Sequence, residues 1–428
     1  MGRGWVFRIY GAKKERNLCR KKGKQMSDRV GLNLQSLATS SLTGIGTYTF
    51  EITKRLQDIL GENYVCEGQV FDFGGRNHAV DRIESYLSEK TAAYISTKSS
   101  MIIRSCKLFP LGAYIRAGRL GSIVSYQQLL GSEADTTVFF NYIRPDRVEG
   151  KSIITVYDMV CVRFPETMDK RNRRLLRRFL PRSCQKADAV ITISEFSKRE
   201  IAECLKISPD KIHVALCGID PQVYYPPIDD EEKGRLKDRL LEKFQIFPPY
   251  ILYLGTLEPR KNVDVLLDAF GVLHERFPEL KLVICGGLGW QYEHTLVHMD
   301  SLGLQDFIIR TGYVAEQDKR MIYAGAEVFV FPSLYEGFGL PVAEAMACGT
   351  PVVCSRSSSL PEVVGDAGLL CDPNDAKAFA DAVGLIYLDT ELQNVLKSRM
   401  KEQILPFTWE GAAQVYGQVI ADVVKSHR

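Results

Sequence analysis

The sequence predicts an α/β protein of two domains, each a doubly wound parallel sheet flanked by helices. Three observations carry that expectation. Short runs rich in Val, Ile, Leu and Phe alternate with helical patterns along most of the chain, which is the pattern of strand–helix–strand units with parallel strands. The alternation breaks at 221–233 (P-Q-V-Y-Y-P-P-I-D-D-E-E-K), where prolines and charge mark a linker, and then restarts. The 428 residues exceed what one ordinary core organises, so two domains of roughly 200 residues are expected. The expected division is a basic extension over 1–27, a first domain over 28–225, a second over 226–406 and a terminal helix over 407–428.

Composition narrows the function classes. Hydrophobic residues make up 45% and charged residues 25%, as in soluble globular proteins. The net charge of +3 hides an asymmetry: residues 1–25 hold nine Lys and Arg against one Glu, which leaves the remainder at about −5. A mildly acidic body argues against a nucleic-acid binder. The 1–25 stretch reads as a disordered tail or the product of an upstream start, with a lipid-touching basic arm as the alternative. No run of about 18 apolar residues predicts a membrane span. The N-terminus lacks an apolar segment followed by a small-residue cleavage site, so no secretory signal is expected. The eleven cysteines form no C-x-x-C pair, and Cys161, Cys285 and Cys354 sit inside apolar runs. They read as reduced core residues of a cytoplasmic protein. No His/Cys/carboxylate cluster has metal-site spacing.

Taken in order, the first strand is expected over 30–34. The run L-T-G-I-G-T-Y-T places Gly44 and Gly46 in a turn before a helix over 50–60. Residues 63–73 read as the next strand. Residues 86–131 are apolar and basic (Lys98, Arg104, Lys107, Arg116, Arg119) and read as amphipathic helices, against either a membrane surface or solvent. Strands follow over 136–142 and 152–158, the second ending in Asp158 at a carboxyl edge, where ligands sit in open α/β sheets. A helix from about Asp169 packs seven basic residues into 170–182 with an apolar stripe of Leu175, Leu176 and Phe179. That face is either solvated or rests on anionic lipid. Ser194 is expected to cap the helix over 195–205 after a strand over 189–194. The second half reads as strands over 250–254, 281–285, 307–310, 327–331, 351–354 and 368–371, with helices between and three more from Asp375, Thr390 and Thr408.

The chain's most informative stretch is 331–355, F-P-S-L-Y-E-G-F-G-L-P-V-A-E-A-M-A-C-G-T-P-V-V-C-S. A buried strand runs into a loop with Glu336, Gly337 and Gly339. Pro341 suits the first turn of the helix that follows, and Gly349 ends it. A glycine turn feeding a helix N-terminus attracts an anion such as phosphate. Glu344 lies one turn inside the helix and leans back toward its mouth. At the same edge Arg260 and Lys261 follow the 250–254 strand, and a second glycine turn spans 286–289. Cations and N–H groups suit a diphosphate, and a carboxylate accepts both hydroxyls of a ribose. The residues thus point to a nucleoside diphosphate site, although Arg260 and Lys261 alone could be a surface turn.

The 331–355 stretch resembles the signature of the retaining glycosyltransferases of the GT-B fold, family 4, whose paired acids are spaced as Glu336 and Glu344 are. The likeness continues through S-S-S-L-P-E-V-V-G-D-A-G-L-L-C-D-P at 357–373 and Y-L-G-T-L-E-P-R-K-N at 253–262, and through G-I-G-T-Y, A-D-A-V-I-T-I-S-E-F-S-K and F-T-W-E. It implies two Rossmann-like domains facing a cleft, with the nucleotide sugar on the second domain, the acceptor on the first, and the helix after Trp409 crossing back. By that likeness Arg260 and Lys261 bind the diphosphate, Glu344 the ribose and Glu336 the donor sugar. Gly337, Phe338, Gly339 and Leu340 line the donor site, and Gly46 comes near the phosphates. The family often has His-Asp where this chain has Tyr157 and Asp158; Asp158 stays a catalytic candidate on the acceptor side.

The implied chemistry is transfer of a hexose, with mannose from GDP-mannose the best match, to a glycan or lipid-linked acceptor in surface polysaccharide synthesis. The cations and helix mouth stabilise the leaving diphosphate in place of a metal: no D-x-D motif sits at a strand end, and Asp229 and Asp230 lie in the linker. No cofactor or metal is expected. Glu336 is nucleophile or stabiliser, with same-face displacement favoured. A cytoplasmic location, with peripheral contact to the inner membrane face through 86–131 and 170–182, follows from the same reading. The alternatives are an epimerase or phosphorylase of the same fold, the latter needing a pyridoxal-phosphate lysine, and a non-catalytic nucleotide-sugar binder.

Overall fold

The computed structural model describes residues 27–38, 44–71, 79, 81–83, 102–106 and 125–426. The basic extension up to residue 26 and most of 86–131 lie outside them. Thirteen described strands form two parallel sheets. The first contains β1 (Asp28–Asn33), β2 (Tyr64–Phe71), β3 (Ile102–Cys106), β4 (Thr136–Phe139), β5 (Lys151–Thr155), β6 (Ala189–Thr192) and β7 (Ile212–Val214), in the order β3-β2-β1-β4-β5-β6-β7. The second contains β8 (Tyr250–Leu254), β9 (Lys281–Cys285), β10 (Ile308–Gly312), β11 (Val328–Phe331), β12 (Val352–Ser355) and β13 (Leu369–Cys371), in the order β10-β9-β8-β11-β12-β13. Both orders reverse direction after the unit's first strand, so each sheet has a switch point at which loops diverge and leave a crevice for ligand.

Burial follows the composition that predicts these strands. Every residue of β11 (V-F-V-F) and of β12 (V-V-C-S) is buried, as both faces of a parallel sheet require. The cysteines foreseen as core residues are there: Cys161, Cys285 and Cys354 are free and buried. Burial pushes the Cys161 and Cys285 thiols up to about 12, so neither is a thiolate at neutral pH.

The described residues divide into two compact units. One comprises the chain up to Thr155 with Lys186–Ala189 and the segment from Tyr416; the other comprises Val156–Gln185 and Val190–Val415. In the first, the helix Gly44–Leu60 lays Tyr48, Phe50, Ile52 and Leu56 into the core. The end of the last helix, Trp409–Lys425, joins them: the Tyr416 hydroxyl meets Thr155 Oγ1 at 2.7 Å and its ring stacks on Phe140 at 5.5 Å. In the second, Tyr157 and residues 194–197 are tied to the loop after β11 and to Glu362 beyond it. Ser194 Oγ donates to the Gly337 carbonyl at 2.7 Å, Ser197 Oγ donates to the same carbonyl at 3.2 Å and to that of Tyr157 at 3.1 Å, and Glu362 accepts the Glu195 and Phe196 N–H groups at 2.9 and 3.0 Å.

Four expectations need correction. Gly44 and Gly46 lie in the first turn of the 44–60 helix and not in a turn ahead of it; the buried Tyr48/Ile52 face carries the helix back past them. The described part of 86–131 contains the expected helix only at its end, Tyr126–Leu130, and a strand, β3, where a helix was also expected; its I-I-R-S-C run has the β-branched start a strand favours and pairs with β2 from Glu67↔Ile102 to Phe71↔Cys106. The linker ends sooner than its charge implies, because a helix, Asp230–Phe244, begins inside it. Asp229 accepts the Glu232 N–H at 2.7 Å, and three acids in the first turn complement the helix dipole. Finally, Asp158 lies three residues past the end of β5, in a loop.

Candidate functional site

Two loops leave the switch point of the second sheet, one after β8 and one after β11. The first is locked to its neighbour. Gly255 N–H donates to the Cys285 carbonyl at 2.9 Å, Leu257 N–H to Gly287 at 2.9 Å and Gly289 N–H to Leu257 at 3.0 Å. Gly286 has φ +139°, and a Cβ there would stand 2.0 Å from the Gly255 oxygen, so no other residue fits. The second loop is stitched to the first. Leu334 N–H donates to the Arg260 carbonyl at 2.9 Å, while Asn262, itself at φ +55°, donates from Nδ2 to the carbonyls of Pro332 at 3.1 Å and Pro373 at 2.6 Å.

That stitching brings Arg260, Lys261 and Glu336 into one cluster. Lys261 Nζ lies 2.6 Å from Glu336 Oε1, and Arg260 Nη1 lies 2.9 Å from Glu336 Oε2. Ser333 Oγ donates to Glu336 Oε1 at 2.6 Å, and Arg260 Nη2 reaches Glu258 Oε1 at 2.7 Å. The Lys261 ammonium sits 4.9 Å from the centre of the Phe331 ring. All four charged groups are nearly buried, with side-chain exposures between 5 and 17%. Burial pushes the Glu336 carboxyl up, but Arg260, Lys261 and Ser333 together outweigh it and hold the group at about 2. The Glu336 carboxyl is therefore ionised across the physiological range, while burial pulls the Lys261 ammonium below its ordinary value, opposed by Glu336.

This pairing has a consequence for stability. The folded-state value of Glu336 lies below its ordinary 4.5, so the group stabilises the fold above about pH 4.5 and ceases to do so as pH falls toward 2. The shift corresponds to ~3 kcal/mol. Urea unfolding at pH 7, 4 and 3 is expected to show that loss, and Glu336→Gln is expected to flatten it; an unchanged slope in the variant contradicts the assignment.

After Glu336 the backbone is held from all sides. Ser358 Oγ accepts the Glu336 N–H at 2.8 Å, and Ser359 Oγ donates to the carbonyls of Glu336 and Phe338, both at 2.9 Å. A Cβ on Gly337 would stand 2.3 Å from the Tyr157 oxygen and 3.3 Å from the Asp158 Cβ, so the loop runs directly against that segment. Asp158 accepts the Val160 N–H at 3.1 Å, and Tyr335 accepts the Met159 N–H at 3.1 Å. Gly339 adopts φ +104° as the N-cap of the Leu340–Ala347 helix, with Pro341 in its first turn. That helix carries Glu344, which accepts from Tyr323 OH at 2.8 Å and faces Lys319 Nζ at 3.4 Å. Burial raises the Glu344 carboxyl, opposed by Lys319.

The structure thus unites Arg260, Lys261 and Glu336, sets Gly337 against Asp158, and aligns Phe338, Gly339, Leu340 and Glu344 along the mouth and first turns of one helix. Gly46 belongs to the first unit. Sequence reasoning missed Glu258, Ser333, Ser358 and Ser359. The first pairs with a cation two residues away, and the serines reveal themselves only once the chain is folded. Among the described residues no group of three His, Cys, Asp or Glu could hold a metal ion, and no helix is long and apolar enough to cross a membrane.

Comparison with known proteins places these features. Residues 237–403 match the model of the glycosyl transferases group 1, and residues 149–223 match that of glycosyltransferase family 4. The O-antigen chain mannosyltransferase B of Escherichia coli is 33% identical over 378 residues, covering 86% of this chain and 93% of that protein. A serotype-specific mannosyltransferase of the same species is 30% identical over 237 residues, which are 54% of this chain and 28% of the longer relative. Among solved structures, the sucrose-phosphate synthase of Thermosynechococcus elongatus aligns with a TM-score of 0.69 at 19% identity, over 93% of this chain and 100% of that one.

Proposed function

The chain belongs to the glycosyl transferases of group 1, family 4, with the α/β GT-B fold, and from that premise we propose that it transfers mannose from GDP-mannose to a growing surface polysaccharide with retention at the anomeric carbon. The observation that carries this reading is the ion-paired Arg260–Lys261–Glu336 cluster at the sheet's switch point, beside a glycine-capped helix mouth. Arg260, Lys261 and the mouth's N–H groups hold the diphosphate; Glu344 takes the ribose hydroxyls. The mannose assignment rests on the 33% identity to an O-antigen mannosyltransferase.

In the reaction proposed, the bond from the anomeric carbon to the diphosphate oxygen breaks, and its electron pair leaves with the phosphate. The acceptor oxygen attacks the same face and passes its proton to the departing phosphate oxygen. The charge that develops on the leaving group is met by two preorganised cations, a contribution of roughly 3 kcal/mol per donor. Glu336 is engaged at both oxygens and held at about 2, which makes it a weak nucleophile. Its role in this reading is to stabilise the positive sugar carbon and to hold Arg260 and Lys261 in register. Asp158, against Gly337, is the candidate for orienting the acceptor.

Thermal-shift screening against GDP-, UDP- and ADP-sugars tests the donor, since binding raises the melting temperature by mass action. GDP-mannose is expected to give the largest shift. Proton NMR of the product is expected to show retention, and turnover is expected to survive EDTA, because the cations replace a metal. Inversion of the product, or loss of turnover restored by a divalent ion, contradicts those parts of the reading.

The cytoplasmic face of a membrane is the setting we assign. The Lys170–Lys186 helix exposes Lys170, Arg171, Arg174, Arg177, Arg178 and Arg182, and five basic residues frame a surface depression of about 450 Å³. Such density supports contact with anionic lipid. Flotation with phosphatidylglycerol vesicles should be lost in 0.5 M salt and in an Arg174→Gln/Arg177→Gln/Arg178→Gln variant; binding that ignores both changes contradicts it.

A further inference from the structure

Glu344 does not stand alone behind the helix mouth. It is 4% exposed, and its two oxygens meet different partners from the neighbouring helix, Glu316–Ala324. Tyr323 OH donates to Oε2 at 2.8 Å. Lys319 Nζ faces Oε1 at 3.4 Å and is anchored on its other side by Glu316 Oε2 at 2.9 Å. Glu316 in turn bonds the hydroxyl of Tyr224.

The Tyr323 hydroxyl has one place to go. The side chain is fully buried; its ring lies edge-on to Phe329 at 5.4 Å and to Tyr224 at 6.3 Å, and its carbonyl accepts from Thr350 Oγ1 at 2.6 Å. Burial and the nearby Glu344 charge raise the phenol well above its ordinary value, so it remains a proton donor. A carboxylate offers about four acceptor positions. Tyr323 takes one on Oε2, the Tyr224 hydroxyl bonds the same carboxylate, and Lys319 stands 3.4 Å from Oε1. The remaining positions stay in a fixed plane, which is what a rigid vicinal diol requires of its acceptor. A carboxylate free to rotate would lose that match, since a site loosened by about 1 Å forfeits much of its effect.

Resting on the reading of Glu344 as the ribose ligand, we propose that Tyr323 and Lys319 are the positioning residues that set this site's requirement for ribose hydroxyls. Neither touches the donor. They act through Glu344, Tyr323 by orienting the carboxylate and Lys319 by placing a positive charge beside its second oxygen.

The test is calorimetric binding of GDP and of 2′,3′-dideoxy-GDP to the full chain and to two variants, Tyr323→Phe and Lys319→Met. The unaltered protein is expected to prefer GDP by at least about tenfold, because two hydroxyl bonds to a buried carboxylate are at stake. Each variant is expected to shrink that preference by about three- to tenfold through weaker GDP binding, with dideoxy-GDP affinity unchanged. In turnover the donor KM should rise by a similar factor, with kcat within about twofold. A merely structural role would weaken both ligands equally, and that outcome overturns the proposal, as does an unchanged preference. If Tyr323→Phe fails to fold, Lys319→Met alone decides in the same terms. If the unaltered protein does not distinguish the two ligands, the ribose reading itself fails. If it distinguishes them and the variants do so equally well, only the positioning role fails.

Discussion

Glu336→Gln is expected to lower the turnover number for sugar transfer by about 10²–10³-fold while leaving GDP affinity unchanged or raised. The two halves of that result have one cause. Glu258, Arg260, Lys261 and Glu336 form a buried cluster whose charges sum to zero. Removing the Glu336 charge leaves a net positive cluster, and a diphosphate is the ligand that such a cluster attracts. In the proposed reaction, what disappears is the negative group beside the developing sugar cation, together with the register it imposes on both cations. The substitution also costs stability, of the order of the 3–5 kcal/mol typical of a broken buried ion pair, so rates belong below the variant's own melting transition. Stopped assays with GDP-mannose and calorimetry with GDP separate the two effects. A variant that binds GDP much more weakly, or turns over within tenfold of the parent, refutes this role for Glu336.

The second sheet was readable from the sequence because its strands are short, wholly apolar and separated by glycine turns. Strands β8 and β9 fall on the expected 250–254 and 281–285 limits. The helix mouth was readable for the same reason, since Gly339 and Pro341 have local conformational duties that do not depend on the rest of the fold. Failures occurred where local pattern and tertiary demand disagree. Gly44 and Gly46 carry a turn signal, yet a strong amphipathic face at Tyr48, Phe50 and Ile52 extends the helix through them. The linker's acids look solvated, yet three of them form the favourable first turn of the Asp230–Phe244 helix.

The candidate site was legible in its charges and not in its wiring. Arg260 and Lys261 were paired in expectation with phosphate, and Glu336 with sugar; that they hold one another depends on the chain closing the β8 and β11 loops together across a sequence separation of 75 between Lys261 and Glu336. Ser194, Ser197 and Glu362 bind the Gly337 turn and the helix beside it across more than a hundred residues. No spacing rule finds such partners. They hold the loop that places Glu336, so their effect on chemistry is carried by geometry.

Lys261→Ala acts in the opposite sense on affinity. It removes one of the two cations proposed to hold the diphosphate and leaves the cluster with a net negative charge, so both attraction and repulsion should turn against the ligand. Losing a charge-assisted bond in a buried site amounts to ~2–3 kcal/mol, which is about 30- to 150-fold in GDP affinity. Guanosine, which lacks the phosphates, should lose no more than about twofold. Glu336 retains Arg260 and Ser333, so its carboxylate stays ionised at neutral pH, and the variant isolates the missing cation. Calorimetric titration of GDP, GMP and guanosine into parent and variant reads the effect as a function of phosphate number. The loss should be largest for GDP, smaller for GMP and nearly absent for guanosine. Equal losses for all three would mean that Lys261 supports the fold of the β8 loop and not the diphosphate, and the leaving-group chemistry would then rest on Arg260 and the helix mouth alone.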